Sequence, residues 1–239
     1  MLIQALAAYA DTRLADQLDD PAFESKPVRF FLEVADDGRF LGFIERSESI
    51  QRGKRSISVV QPLNIPKSPV SRNSGLHPLL ACDDMKYALG PGEWTKPEEV
   101  QNQQERHEAF VTLLRSAADA TADPELAAVV RFYDRSDEVE LARKDFVARK
   151  PAPGNMVCLY ANGPLVSSRV IRDYWRNHYE RAFGERSQKG GEGVCLISGS
   201  FGPIAATHDK VKGAGNLGGQ REWINFEMVD SLLKRLGRL

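Results

Sequence analysis

The sequence predicts an α+β fold: a mainly antiparallel sheet with flanking helices and long basic and glycine-rich loops. Three observations carry this expectation. Asp36-Asp37-Gly38 separates two strand-like runs, Val28–Val34 and Arg39–Ile44, which is a hairpin signal. Further short apolar runs at Met156–Tyr160 and Val194–Gly199 are bounded by Gly, Pro and Ser. Between them, apolar residues recur at helical spacing.

In chain order, Leu2 to Leu18 carries a helical apolar stripe that Pro21 and Pro27 close. After the hairpin, Ser56–Val60 reads as a third strand that extends the same sheet. Pro62 to Gly92 is irregular, punctuated by Pro62, Pro66, Pro69, Pro78 and Pro91. Pro97 to Ala118 is the clearest helix, with Pro97 in its first turn, Glu98 and Glu99 at its positive end, and Phe110, Leu113 and Leu114 on one side. Shorter helices are expected at Pro124–Phe132 and Glu138–Phe146, then a turn at Lys150–Gly154 and a strand at Met156–Tyr160. Ser168 to Phe183 reads as a helix whose Tyr174, Trp175, Tyr179 and Phe183 face the core. Val194–Gly199 is expected to be a buried strand, followed by a turn at Ser200–Pro203, a short run at Ile204–Ala206 and a last strand at Trp223–Phe226. The sheet should join the hairpin to the strands near Val157, Val194 and Trp223, and short turns favour antiparallel pairing.

Composition narrows the function classes. An apolar share of 42% supplies a real core, and a net charge of -1 gives the whole molecule no polyelectrolyte character. Attraction to nucleic acid must therefore come from local segregation of charge. Cys82, Cys158 and Cys195 stand far apart, without CxxC or disulfide-like spacing, which suits a reducing cytoplasm and argues against structural zinc. The N-terminus has no signal-peptide pattern, and no apolar run is long enough to span a membrane. A cytoplasmic protein without membrane contact is expected.

Charge is segregated in two places. From Arg46 to Cys82 the chain carries Arg46, Arg52, Lys54, Arg55, Lys67 and Arg72 against Glu48 alone. A solvated loop would tolerate this, but so long an acid-free stretch suits phosphates better, with Arg52, Lys54, Arg55 and Lys67 as contacts. The second place is the loop from Asp209 to Arg221, which holds Lys210, Lys212, Gly213, Gly215, Asn216, Gln220 and Arg221. Glycine allows positive φ and close approach of backbone N–H groups to a ligand, and the basic margins suit a phosphate chain. An ordinary hairpin loop fits the same composition. It is neither a Walker loop, lacking Gly-Lys-Ser/Thr at the right spacing, nor a Rossmann turn, since no long helix opens behind it.

No nucleophile–base–acid set is legible, and no cofactor motif or metal-binding pattern such as HExxH is present. Asp83-Asp84 suits either a metal-binding pair or a helix cap ahead of Met85–Leu89. His77 reads as a solvated loop residue. Three readings stay open: a DNA-binding module, a metal-dependent phosphodiesterase using His208, Asp209 and Asp83, and an assembly module that docks RNA or a partner subunit.

Two blocks carry a resemblance. Arg72-Asn73-Ser74-Gly75-Leu76-His77-Pro78, followed by Cys82–Gly90, resembles a block in the large subunit of the type I-C CRISPR surveillance complex, Cascade. Cys195–Gly199, Pro203-Ile204-Ala205, His208, Lys210–Gly213 and the glycine-rich turn running on to Phe226 resemble that family's second block, and Met1–Leu6 matches its opening helix. His77 stands where the family often has lysine, Asp84 where it often has asparagine, and Arg221-Glu222-Trp223 replaces small residues. The resemblance implies that residues 1–226 are the N-terminal DNA-recognition domain of such a subunit, and that 227–239 are a truncated helix or a tail. It implies a non-catalytic subunit at the crRNA 5′ handle that recognises the protospacer-adjacent motif (PAM) in duplex DNA and helps open it. Its partners would be target DNA, crRNA, the other Cascade subunits and the helicase-nuclease recruited by the full complex. In that role the amides of Asn73, Asn216 and Gln220 read groove edges, Arg72 and Ser74 bind DNA beside Asn73, and Gln220 or Leu217 is the wedge that opens a base step.

Overall fold

The computed structural model describes residues 9, 20–53, 55–70, 72, 75–188, 192–194 and 201–203. Strands β1 (Phe23–Pro27), β2 (Phe30–Val34), β3 (Phe40–Glu45), β4 (Ser47–Arg52), β5 (Arg55–Val60), β6 (Pro62–Pro66) and β7 (Cys82–Asp84) come first. Helices α1 (Met85–Ala88), α2 (Val100–Thr121), α3 (Pro124–Tyr133) and α4 (Ser136–Ala148) follow, with a 3-10 turn at Pro97–Glu99 before α2. Then come β8 (Met156–Tyr160), a 3-10 turn at Leu165–Ser167, α5 (Arg169–Gln188), β9 (Glu192–Val194) and β10 (Phe201–Pro203). The fold is α+β, with antiparallel pairing dominant. Of the opening segment Tyr9 is described, and it is helical.

The main sheet has four strands in the order β3-β2-β8-β7. β2 and β3 form the hairpin read from the sequence, and Gly38 takes φ +85 in its turn. The strand at Val157 joins this sheet, but β8 lies parallel to β2, with Phe30 opposite Val157 and Leu32 opposite Leu159. Antiparallel pairing fails here because a whole helical excursion, not a short turn, separates the two strands, so no turn sets their direction. Both central strands are buried on both faces, as continuous apolar runs require: Phe30, Leu32, Val157, Cys158 and Leu159 are fully buried.

Three further expectations need correction. Ser56–Val60 does not extend the main sheet: β5 pairs with β4 in a two-stranded ribbon of its own. Pro62–Pro66 is not irregular but pairs with β1, where a proline at each end of the strand still leaves room for a ladder. Val194 belongs to a separate hairpin, β9 with β10, and Phe201–Pro203 is a strand rather than a turn. Val194 is 59% exposed and Phe201 69%, so this strand is not a buried one. The continuation to Gly199 and the runs at Ile204–Ala206 and Trp223–Phe226 lie outside the described residues.

The helices match their sequence signals closely. α3 starts at Pro124 behind Asp123, whose carboxylate accepts from the N–H groups of Glu125 and Leu126 at 3.0 and 2.9 Å. Phe110 and Leu114 of α2 are fully buried, with Leu113 packed beside them. α3 and α4 pack on the β2–β3 hairpin, where Phe146 meets Phe30 and Phe43 at ring centroid distances of 5.1 and 5.0 Å. Glu138, buried in α4, accepts from the N–H of Phe40 at 2.8 Å, satisfying a donor beside the irregular register at Val34. Trp175 of α5 is buried and donates its indole N–H to the Ala22 carbonyl at 2.9 Å, and Tyr179 and Tyr174 pack with it in the core as expected, while the side chain of Phe183 lies outside those described.

The hairpin turn is clamped to α3. Arg131 donates from Nε to the Asp36 carbonyl at 3.1 Å, and a Cβ at Gly38 would meet backbone of Arg131 and Phe132 at 2.8 Å. Gly38→Ala should cost about 1–3 kcal/mol in denaturant unfolding, from left-handed strain plus the collision. Gly154→Ala supplies the control: it has φ +78 but nothing within 4 Å. Equal losses at the two positions would show that the hairpin does not press on α3.

Candidate nucleic-acid interface

Asp83 organises the first candidate block. It lies in β7, the short edge strand, where alternation sends Cys82 and Asp84 to one side and Asp83 to the other. Its side chain is fully buried, at 0% exposure. Oδ1 accepts from the Arg72 guanidinium and the Asp84 N–H, both at 2.7 Å, and Oδ2 accepts from the Leu79 N–H at 2.7 Å. Asp83 therefore ties both ends of the segment 72–79 to the sheet. Burial pushes its carboxyl up to about 6, against the opposing pull of Arg72. Asp84 does what a cap should, accepting from the Lys86 N–H at 2.8 Å to start α1. The two aspartates thus have different jobs, one holding Arg72 and Leu79 and the other capping α1.

Arg72 is drawn inward by this arrangement. Its side chain is 26% exposed, and its guanidinium sits 4.6 Å from the centroid of the Tyr87 ring. Tyr87 is itself fixed through α1. The last carbonyls of a helix lack intrahelical donors, and here side chains from the helical layer supply them. His107 Nδ1 donates to the Tyr87 carbonyl at 2.8 Å, the Tyr133 hydroxyl to Ala88 at 2.9 Å, and Arg143 Nε to Leu89 at 2.8 Å. Burial lowers the pKa of His107 and raises that of Tyr133, so both donate as neutral groups. A chain of contacts therefore runs from α2, α3 and α4 through α1 and Tyr87 to Arg72.

Beside this segment lies a cleft of about 430 Å³, lined among others by Val70, Leu76, His77, Trp175 and His178. His77 is half-buried in that lining rather than a solvated loop residue. Trp175 and His178 stack at 4.9 Å.

The basic stretch divides by destination. Arg46 lies 5.0 Å from the Phe31 centroid, and Arg72 is held as described, so both cations serve packing. Lys67 is half-buried, and its N–H bonds the Ala22 carbonyl at 2.8 Å beside the β1–β6 pair. Arg52 and Arg55 are different. The register of the β4–β5 ribbon pairs them on the last rung before the turn, where Gly53 takes φ +66. Ile50 and Val59, further along the ribbon, are exposed.

Asn73, Ser74 and Lys54 lie outside the described residues, as does the glycine loop with Lys210, Lys212, Gly213, Gly215, Asn216, Gln220 and Arg221. His208 and Asp209 of the phosphodiesterase reading do too. Its third member, Asp83, has both carboxylate oxygens engaged by Arg72 and backbone N–H groups. Sequence reasoning missed the Asp83–Arg72 bond and its support from Tyr87 and His107. The available signal was Asp83 itself, the first acid after the long acid-free stretch that follows Glu48.

Asp83 also sets a pH dependence. Its folded value lies above the ordinary aspartate value of about 3.9, so the folded chain holds that proton more tightly than the unfolded one. The resulting stabilisation is fully present below about pH 4 and is lost as pH rises through about 6. Asp83→Asn cannot titrate, so the stability advantage of the parent over this variant should shrink between pH 4 and 7 in urea unfolding. A difference independent of pH would refute the assignment. At pH 8, Arg72→Ala leaves a buried carboxylate uncompensated and should cost about 3–5 kcal/mol.

Among the described residues, no helix is long and apolar enough to cross a membrane. No curated protein matches the chain. The family model described as CRISPR-associated protein (Cas_Csd1) matches residues 6–225, a span that takes in the Asp83–Arg72 block and nearly all of the glycine-loop block. The chain belongs to the CRISPR-associated Cas_Csd1 family, that of the type I-C large subunit.

Proposed function

We propose that residues 1–226 are the PAM-recognition domain of a non-catalytic subunit that reads the motif in double-stranded DNA and helps open the duplex for crRNA pairing. The observation that carries this reading is the anchoring of segment 72–79 by buried Asp83 at both ends. Fixed ends at Arg72 and Leu79 shorten the length of chain that has to be ordered on binding, which favours base readout. Arg72 acts as the anchor, leaving Asn73 and Ser74 to approach base edges. Asn216 and Gln220 do the same from the glycine loop, with Gln220 or Leu217 as the wedge. Lys210, Lys212 and Arg221 hold phosphates there, and Gly213 and Gly215 allow close passage of the backbone. The like-charged rung of Arg52 and Arg55, with Lys54 in the turn and Lys67 further on, supplies sequence-independent attraction. The subunit sits at the crRNA 5′ handle among other Cascade subunits, and guide pairing reads the sequence beyond the motif.

Two classes of variant separate these roles in gel-shift titrations of the reconstituted complex on duplexes that differ only in the motif. The pair Lys54→Glu and Arg55→Glu should weaken binding to every duplex and lower the salt slope by about 1 per lost phosphate contact. Asn73→Ala, Asn216→Ala or Gln220→Ala should instead shrink the gap between cognate and mutated motif, by about 1–3 kcal/mol per lost base contact. A complex that binds both duplexes equally before any substitution is an assembly module. Metal-dependent cleavage of labelled DNA or RNA would overturn the non-catalytic role.

A further inference from the structure

Cys82 and Cys158 face each other across the sheet. They are register partners on antiparallel strands β7 and β8. The Leu159 N–H donates to the Ala81 carbonyl at 2.9 Å, one residue outside the pair, which makes it a non-hydrogen-bonded pair. In such pairs Cα atoms stand about 4.5 Å apart and the side chains are closest. Disulfides span Cα separations of about 4.4–6.8 Å, so this site accepts one with little movement of backbone. Both thiols are free and fully buried, and the Cys158 thiol donates to the Leu159 carbonyl at 3.6 Å. Spacing along the chain gave no hint of this, because the two residues are brought together by the sheet alone.

We propose that Cys82 and Cys158 form a redox-active pair that closes to a cross-strand disulfide under a peroxide-class oxidant and reopens under thiols. One thiolate attacks the peroxide: an S–O bond forms, the O–O bond breaks, and the first water leaves. The second thiol then attacks the sulfenic sulfur: the S–S bond forms, the S–O bond breaks, and the second water leaves. Each sulfur gives up one electron, and the peroxide takes both electrons and the two thiol protons. Burial pushes the Cys82 thiol well up, so the closed sheet protects it. Access requires local opening of β7, a three-residue strand at the sheet edge. A bridge at the short end of the Cα range is strained, which makes it easy to reduce again. Cys82 directly precedes Asp83, so closing the bridge fastens the strand that carries the anchor of segment 72–79.

The test uses the full chain carrying Cys195→Ser, so that two thiols remain. The folded protein is exposed to hydrogen peroxide, denatured into N-ethylmaleimide and analysed by intact and peptide mass spectrometry. The expected product takes up no maleimide, has lost two hydrogens, and yields linked peptides containing residues 82 and 158. Dithiothreitol restores both maleimide adducts, and the oxidised form melts at a higher temperature than the reduced one. Adding Cys158→Ser abolishes the linked peptide and the rise in melting temperature. Full maleimide uptake after the same exposure overturns the proposal, as does linkage seen only when peroxide is added in urea, or oxidation that stops at separate sulfinic acids. These readouts involve no nucleic acid, so their outcome is independent of whether segment 72–79 reads DNA.

Discussion

The buried carboxylate of Asp83 is the constraint on which the candidate interface depends. A charged group at 0% exposure survives only with partners for its lone pairs, and this one takes a guanidinium and two backbone N–H groups. That demand shapes everything around it. It pulls Arg72 off the surface, seats it over Tyr87, and fixes where the chain must re-enter the sheet at Leu79. The desolvation cost exceeds what Arg72 returns, since the carboxyl is held above its ordinary range. The pair therefore contributes geometry rather than net stability: it sets where Arg72 and Leu79 stand against the edge strand β7.

The helical half of this protein was legible in its sequence, and the sheet half only in part. Pro97 and Pro124 mark helix starts through chemistry local to the helix itself, and α2 and α3 begin within a few residues of where those signals place them. The β2–β3 hairpin was equally plain, because Asp36-Asp37-Gly38 encodes its own turn. Partner choice among distant strands has no such local signal. Nothing near Met156–Tyr160 says that it runs parallel to β2, and nothing near Ser56 says that β5 abandons the main sheet for β4.

The site followed the same division. A surplus of basic residues is visible as composition, but which of them point inward is decided by tertiary contacts. Arg46 and Arg72 look identical to Arg52 and Arg55 in sequence, yet the first two rest on Phe31 and Tyr87 while the others share a rung at the ribbon tip. The family blocks were recognisable because they combine glycines, amides and cations in a fixed order. Why the first block needs its aspartate became visible only once Leu79, Arg72 and Tyr87 were seen to converge.

The parallel seam between β2 and β8 has a consequence for how the chain reaches its fold. During synthesis the β2–β3 hairpin and helices α1–α4 emerge before β8 does, so one edge of β2 has no strand partner for most of that time. Contacts this distant in sequence close slowly. Until then an apolar strand edge containing Phe30, Phe31 and Leu32 is open to pairing with another chain. The docking of α3 and α4 onto the nascent hairpin covers one face of it early. Covering the edge itself has to wait for residue 160 to clear the ribosome, which makes β8 the element whose arrival ends the vulnerable phase of folding.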